Sequence, residues 1–166
     1  MRFSIDQNVE VTPAAAVAAY GNPAFYEGRA PRDNISVVEV VRHEDNGARL
    51  LLEVRFQFTG SVSSAVRAVI DPAKMSWITR TQVMLDELRT RFDVLPDHYP
   101  DRLTSSGTFR FTEGPLGPAS TTVTAEGEMK VHVPLVGRTV ERVIVSGLRS
   151  YLAAEVASLP EFSPPG

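Results

Sequence analysis

Cysteine is absent from the 166-residue chain, which excludes a disulfide framework, a thiolate nucleophile and any cysteine-ligated metal. Histidine is scarce. Its three copies, His43, His98 and His132, fall in separate segments without the i, i+4 spacing of a helical metal pair, so no metal and no cofactor is expected. Lysine occurs only at Lys74 and Lys130, and with a net charge of −3 there is no basic stripe to neutralise phosphates, which argues against nucleic acid as a partner. Apolar runs never approach the roughly 20 residues of a membrane span, and the opening residues alternate instead of forming a signal-peptide core. Stable membrane insertion is therefore not expected, and a cytoplasmic address is. Gly114, Gly117 and Gly137 read as a turn and a helix start, not a phosphate-binding loop, and no G-x-S-x-G elbow is present. What remains is 43% hydrophobic and 22% charged, ordinary values for one domain, here set at 1–160 with a flexible tail at 161–166.

Periodicity supplies the architecture. Residues 2 to 11 alternate with Phe3, Ile5 and Val9 on one side, the mark of a half-buried strand. Thr12 and Pro13 open a short helix that Gly21 stops, and Pro23 to Arg29 reads as a second short helix. Two strands, Ile35 to Glu44 and Ala48 to Thr59, join through Asp45, Asn46 and Gly47, a strong hairpin signal. A short helix is expected within 60–73. Strands at Lys74 to Val83, Arg89 to Leu95, Arg102 to Thr112 and Ser120 to Val133 complete seven. Hairpin pairing puts Met75, Trp77, Thr79, Phe92, Val94, Phe109, Phe111, Val123, Met129 and Val131 on an inner face. The longest helix, Gly137 to about Ser158, repeats apolar residues at spacings of 3 and 4, while Arg138, Glu141, Arg142, Arg149 and Glu155 are expected to fall largely off that stripe.

This order resembles the helix-grip fold of the START-like superfamily, which includes polyketide cyclases, lipid-transfer domains and plant Bet v 1-like proteins. Within it, the segment Val131, His132, Val133, Pro134, Leu135, Val136, Gly137 through Glu141 resembles the V-x-V-P-L-V-G-x-x-x-E signature of a bacterial family of unknown function. The run Leu148 to Glu155 and the opening thirty residues are similar to that family as well. The resemblance implies an α+β fold, with a curved seven-stranded antiparallel sheet around the last helix and two short helices after strand 1. It implies a possible cavity and no particular reaction.

Small residues in inner positions suggest where a cavity would lie. Gly107 and Gly127 share inner parity on adjacent strands, and a loop from Pro115 to Ala119 sets them opposite one another; Gly147 lies on the helix stripe. Either these glycines leave a hollow, or they bend the sheet and let the helix approach. A hollow would be lined by Val54, Phe56, Trp77, Thr79, Phe92, Gly107, Phe109, Gly127, Met129, Val140, Ile144, Gly147 and Leu148, which suits a hydrophobic small molecule or lipid held without catalysis. Possible polar contacts are Glu39, His43 and Tyr99. With a two- or four-residue turn Glu39 and His43 face inward beside Val37 and Val41; with a three-residue loop and bulge they face outward and leave Val38 and Val40 inside. Two alternatives stay open: a cyclase- or aromatase-like enzyme using an inward polar pair, and a filled-core interaction module or homodimer.

Overall fold

The alternation of the first residues makes Arg2–Val9 a strand, β1, with Phe3, Ile5 and Val9 buried. The computed structural model describes residues 1–162. Thr12 caps the helix α1 (Pro13–Tyr20) by accepting from the Ala15 amide, and Pro13 sits in its first turn, where a missing N–H costs nothing. The expected second helix shrinks to one 3-10 turn, Pro23–Phe25, followed by Gly28 in the left-handed region at φ +68°. Strands β2 (Ile35–Asp45), β3 (Arg49–Phe58), β4 (Ser76–Met84), β5 (Arg89–Pro96), β6 (Leu103–Gly114) and β7 (Gly117–Val131) join β1 in one antiparallel sheet ordered β1-β7-β6-β5-β4-β3-β2. The seven-stranded helix-grip sheet is therefore present. Between β3 and β4 the expected helix divides into a single turn, α2 (Ser64–Arg67), and a 3-10 turn at Pro72–Lys74.

The β2–β3 hairpin closes over two residues, Gly47 and Ala48, with the Asn46 amide donating to the Arg49 carbonyl. That short turn alone would aim Glu39 and His43 to one face. Two bulges in β2, between Val37 and Glu39 and between Val40 and Arg42, break the parity instead. Glu39 stands opposite Arg55 on the outer face, while His43 stands opposite Leu52 on the inner one. Val37 and Val40 are half-buried, and Val38 and Val41 are exposed on this edge strand. Bulges of this kind also blunt an edge against pairing with another sheet.

Gly107 pairs directly with Gly127. The tip of that hairpin is two residues, Pro115 and Leu116, and a register shift at Glu113 and Gly114 restores the alignment expected from a longer loop. The pair does not border a hollow. A Cβ on Gly107 would lie 2.2 Å from the Glu126 carbonyl oxygen and 2.8 Å from the Phe92 ring, and one on Gly127 would lie 2.5 Å from the Ser106 carbonyl oxygen and 2.8 Å from the Phe3 ring. Close approach is what the glycines permit there, and the rings of Phe92 and Phe3 occupy the space above them.

Helix α3 (Gly137–Ala157) packs on β1 and β7. Glu141 and Glu155, expected off its apolar stripe, are both buried on it because each has a specific partner. Glu141 Oε1 accepts the Val131 amide at 3.0 Å, and Gly137 lets the helix start against β7, since a Cβ there would meet the Val131 carbonyl oxygen at 2.6 Å. These are the signature residues. They form a strand-to-helix joint whose bend runs through Leu135 at φ +70°. Past α3 a 3-10 turn, Leu159–Glu161, leads to Phe162, whose ring meets Phe25 edge-on at 5.3 Å. The packed chain thus continues to 162, and the rest of the expected tail, 163–166, lies outside the described residues. Among the described residues no helix is long and apolar enough to cross a membrane.

Gly107→Ala is expected to destabilise the fold by about 1–3 kcal/mol or more, because neither backbone oxygen nor paired strand can move aside cheaply. Chemical denaturation measures this. An unchanged midpoint would show that the two strands do not approach as closely as described.

Candidate functional site

Burial on the inner face of the sheet changes from one end to the other. At the end where α1 and the β2–β3 hairpin lie, Leu52, Val83, Thr90, Phe111 and Val123 are buried. Tyr20 of α1 fills this end, with its ring centroid 5.3 Å from those of Phe25, Phe109 and Phe111. At the opposite end β2, β4 and β6 begin, β3, β5 and β7 finish, and α3 starts. Here Ile35, Phe58, Met75, Trp77, Thr79, Val94, Pro96 and Leu103 on the sheet and Val140, Ile144 and Leu148 on the helix are only half-buried. Gly147 is exposed on the same helical flank as Val140, and a Cβ built on it would meet nothing within 4 Å. Ile35, Val94, Leu103, Ile144 and Leu148 pack against a buried cluster that includes Phe3, Phe92 and Met129 and keep part of their surface exposed, so this end of the interface between helix and sheet is the candidate groove.

The segment 60–74 lies beside that opening with Val62, Val66 and Ile70 half-buried and Val69 exposed. It is tied down by the loop after β5. The Asp71 amide donates to Tyr99 Oη at 3.1 Å, Arg102 Nη1 donates to the Val69 carbonyl, and the Arg102 guanidinium lies 5.3 Å from the centre of the Tyr99 ring. Tyr99, expected as a ligand contact, thus holds a covering segment, and it does so from a left-handed backbone at φ +54°.

The candidate residues divide by burial. Val54, Phe56, Phe92 and Met129 are buried, although Val54 and Phe56 stand beside Thr79 and Trp77 and Met129 stands beside Ser105; Phe56 stacks on Trp77 and Phe92 meets Phe109 at 5.5 Å. Gly107 and Gly127 lie under rings, as described above. Trp77, Thr79, Val140, Ile144, Gly147 and Leu148 belong to the open end. Ile35, Phe58, Met75, Val94 and Leu103 join them there. Sequence parity found the inner face of several of these, but only their position at strand ends nearest the start of α3 marks them as groove residues.

Glu39 and His43 do not form an inward pair. Glu39 accepts from Arg55 Nη1 on the outer face, and Arg55 also donates through Nε to Asp97 at 3.1 Å. Burial pushes the Asp97 carboxyl up, but hydrogen bonds from Arg55 and Ser76 outweigh it and hold Asp97 below its usual range. His43 is exposed near the edge. A cleft of about 560 Å³, lined by Met1, Lys130, Val131, Leu135, Arg138 and Glu141 among others, opens where α3 leaves β7.

A buried polar cluster lies behind the groove. Arg29 Nη1 donates to Glu155 Oε2 at 2.7 Å and to Tyr151 Oη at 2.8 Å, with the two charged side chains only 4% and 5% exposed. Nε and Nη2 of the same guanidinium donate to the Phe25 carbonyl, and its carbon lies 4.4 Å and 4.9 Å from the Phe25 and Tyr26 ring centres. Burial, and then the negative charge of Glu155, push the phenols of Tyr20, Tyr26 and Tyr151 above their ordinary range. For Arg29, burial works against the charge, and Glu155 with Tyr151 more than offsets it. Both charges are spent on each other, so this cluster is a clamp and not a free acid or base.

A family profile described as "Protein of unknown function (DUF2505)" matches residues 4–162. No curated protein matches in sequence. Among solved structures, the Zhui aromatase/cyclase from Streptomyces sp. R1128 is similar at 9% identity with a TM-score of 0.61, over 97% of this chain and 94% of that one. Norcoclaurine synthase from Thalictrum flavum is similar at 13% identity and a TM-score of 0.58, over 97% and 86%. A START superfamily protein from Mycobacterium smegmatis matches at 16% identity and a TM-score of 0.56, over 93% and 96%. At such identities the likeness carries the fold alone.

Three of the four tyrosines are held protonated by the fold. A phenol whose folded-state pKa is raised contributes stability that is fully present below its unfolded value of about 10 and is lost as pH rises beyond it. In an alkaline titration the tyrosinate absorbance of Tyr20, Tyr26 and Tyr151 is expected to appear together with loss of the circular dichroism of folded protein. Ionisation of all four while the fold persists would contradict the buried cluster.

Proposed function

Since the chain belongs to the DUF2505 family and has the START-like fold, we propose that it binds a hydrophobic small molecule or lipid, without catalysis, in the groove between the inner face of the sheet and α3. The observation that carries this reading is the set of half-buried apolar side chains at one end of the sheet and helix, of which Trp77, Ile144 and Leu148 are the largest, together with an exposed Gly147 whose Cβ would meet nothing within 4 Å. A glycine in a helix costs about 1 kcal/mol relative to alanine, and this one is not used for close packing. Trp77, Thr79, Val140, Ile144, Gly147 and Leu148 make the first contacts with the ligand, and segment 60–74 covers it. Burying about 300 Å² of apolar ligand surface yields roughly 7 kcal/mol. Association costs of several kcal/mol leave micromolar affinity, which suits a carrier or sensor. The cytoplasmic address expected from the sequence is part of the same reading.

Two of the similar structures are enzymes by name, and the fold evidently admits catalysis. The carrier is preferred here because the inner rows at the open end, Trp77–Pro96, Thr79–Val94–Ser105–Met129 and Leu103–Val131, contain no ionisable side chain. Glu39, the carboxylate an acid–base pair would need, is neutralised by Arg55 on the other face.

Gly147→Leu separates binding from folding. It is expected to weaken binding of the apolar probe N-phenyl-1-naphthylamine at least about 10-fold, by filling the space the probe takes. The melting temperature should stay level or rise, since leucine is the better helix former. Undiminished probe binding by this variant, or no binding by the parent protein, would sink the proposal.

A further inference from the structure

An apolar groove leaves its own hydroxyls unexplained. Thr79 on β4 and Ser105 on β6 face the same row of the inner surface, each paired across to Val94 of β5. Thr79 is half-buried and Ser105 only 8% exposed, yet neither hydroxyl hydrogen-bonds to any described residue. Thr81, one step deeper on β4 and 9% exposed, is likewise without a partner. Other buried hydroxyls behave differently. Thr121 donates to the Val11 carbonyl at 2.7 Å, Ser158 to the Glu155 carbonyl at 2.7 Å and Ser120 to the Gly117 carbonyl at 3.0 Å. Thr90 is unpaired too, but its oxygen is sealed in the packed end, whereas those of Thr79, Thr81 and Ser105 are not shut off in this way.

Buried hydroxyls are normally satisfied, so unpaired ones beside a groove await a partner from solvent or from a ligand. The two sites lie two strands apart, about 9–10 Å across the sheet. Between them lies Val94, and Ile144 and Leu148 of α3 belong to the same apolar cluster. A pure hydrocarbon would strip water from both hydroxyls and give nothing back. We infer that the groove selects a flat apolar molecule with an oxygen at each end, one met by Thr79 or Thr81 on β4 and the other by Ser105 on β6. This rests on the groove being the binding site, and it adds the ligand's polar pattern.

Three probes sharing one frame test it: biphenyl, 4-hydroxybiphenyl and 4,4′-dihydroxybiphenyl, titrated against the fluorescence of Trp77, the single tryptophan, in the full chain. Each hydroxyl is expected to tighten binding by about 3- to 10-fold, so the diol binds best. Ser105→Ala, and the near-isosteric pair Thr79→Val with Thr81→Val, should each bring the diol down to the affinity of 4-hydroxybiphenyl and leave biphenyl unaffected. Melting curves confirm that each variant folds. Equal affinities for biphenyl and the diol in the parent protein would overturn the hydroxyl pairing and leave the groove reading standing. Failure of the parent protein to bind any of the three would overturn both.

Discussion

The ion pair between Arg29 and Glu155 fixes where α3 lies, and the groove depends on that placement. Two charges this deeply buried are tolerable only when each is paired and the remaining donors are satisfied, and Arg29 meets the condition through Glu155, Tyr151 and the Phe25 carbonyl. Removing one partner would strand the other, at a cost of about 3–5 kcal/mol. Arg32 adds a second tie from the same segment, to Ser158 and the Ala154 carbonyl. At its other end the helix is held by Gly137 and Glu141 against Val131. Between those ends Ile144, Val145 and Leu148 pack, partly buried, against the cluster that includes Phe3, Phe92 and Met129. Val143 and Gly147, on the exposed side of the helix, stand clear of it.

The division into a packed end and an open end has an energetic logic. Apolar area removed from water stabilises the fold by about 25 cal/mol per Å², and the aromatic group around Tyr20, Phe25, Phe109 and Phe111 concentrates that burial on one side of the glycine pair. The half-buried residues on the other side keep part of their surface in contact with water. That exposed remainder contributes nothing to folding and remains to be gained on binding. Under the proposed function, a molecule entering the groove would complete burial that the chain itself leaves unfinished.

Most of the architecture was legible in the sequence because it follows from periods of two and of three to four: all seven strands, both longer helices and the facing of Gly107 and Gly127. What escaped was set by interactions between distant segments. The bulges in β2 carry no compositional mark, so the faces of Glu39 and His43 were open until pairing with β3 fixed them. The rings over the glycines come from Phe92 on β5 and Phe3 on β1, and parity tells which face a ring takes but not how far it leans. Arg29 and Glu155 are 126 positions apart. A signal for them existed: Glu141 and Glu155 fall on the apolar stripe of α3, and a carboxylate on such a stripe implies a buried partner. Reading both as surface charges missed the clamp.

The same separation bears on what low-identity likeness can transmit. An aromatase/cyclase and a norcoclaurine synthase share this frame at 9% and 13% identity, so most side chains have changed while the bend, the helix and the strand order persist. At the open end a few inner positions are under little obligation to the packed end. In this chain they hold Thr79, Val94, Ser105 and Met129, groups that can hydrogen-bond or exclude water but cannot exchange a proton near neutral pH. A carboxylate or imidazole at one of them would change the chemistry without touching the clamp or the glycine pair. Likeness of fold therefore carries no reaction over to this chain.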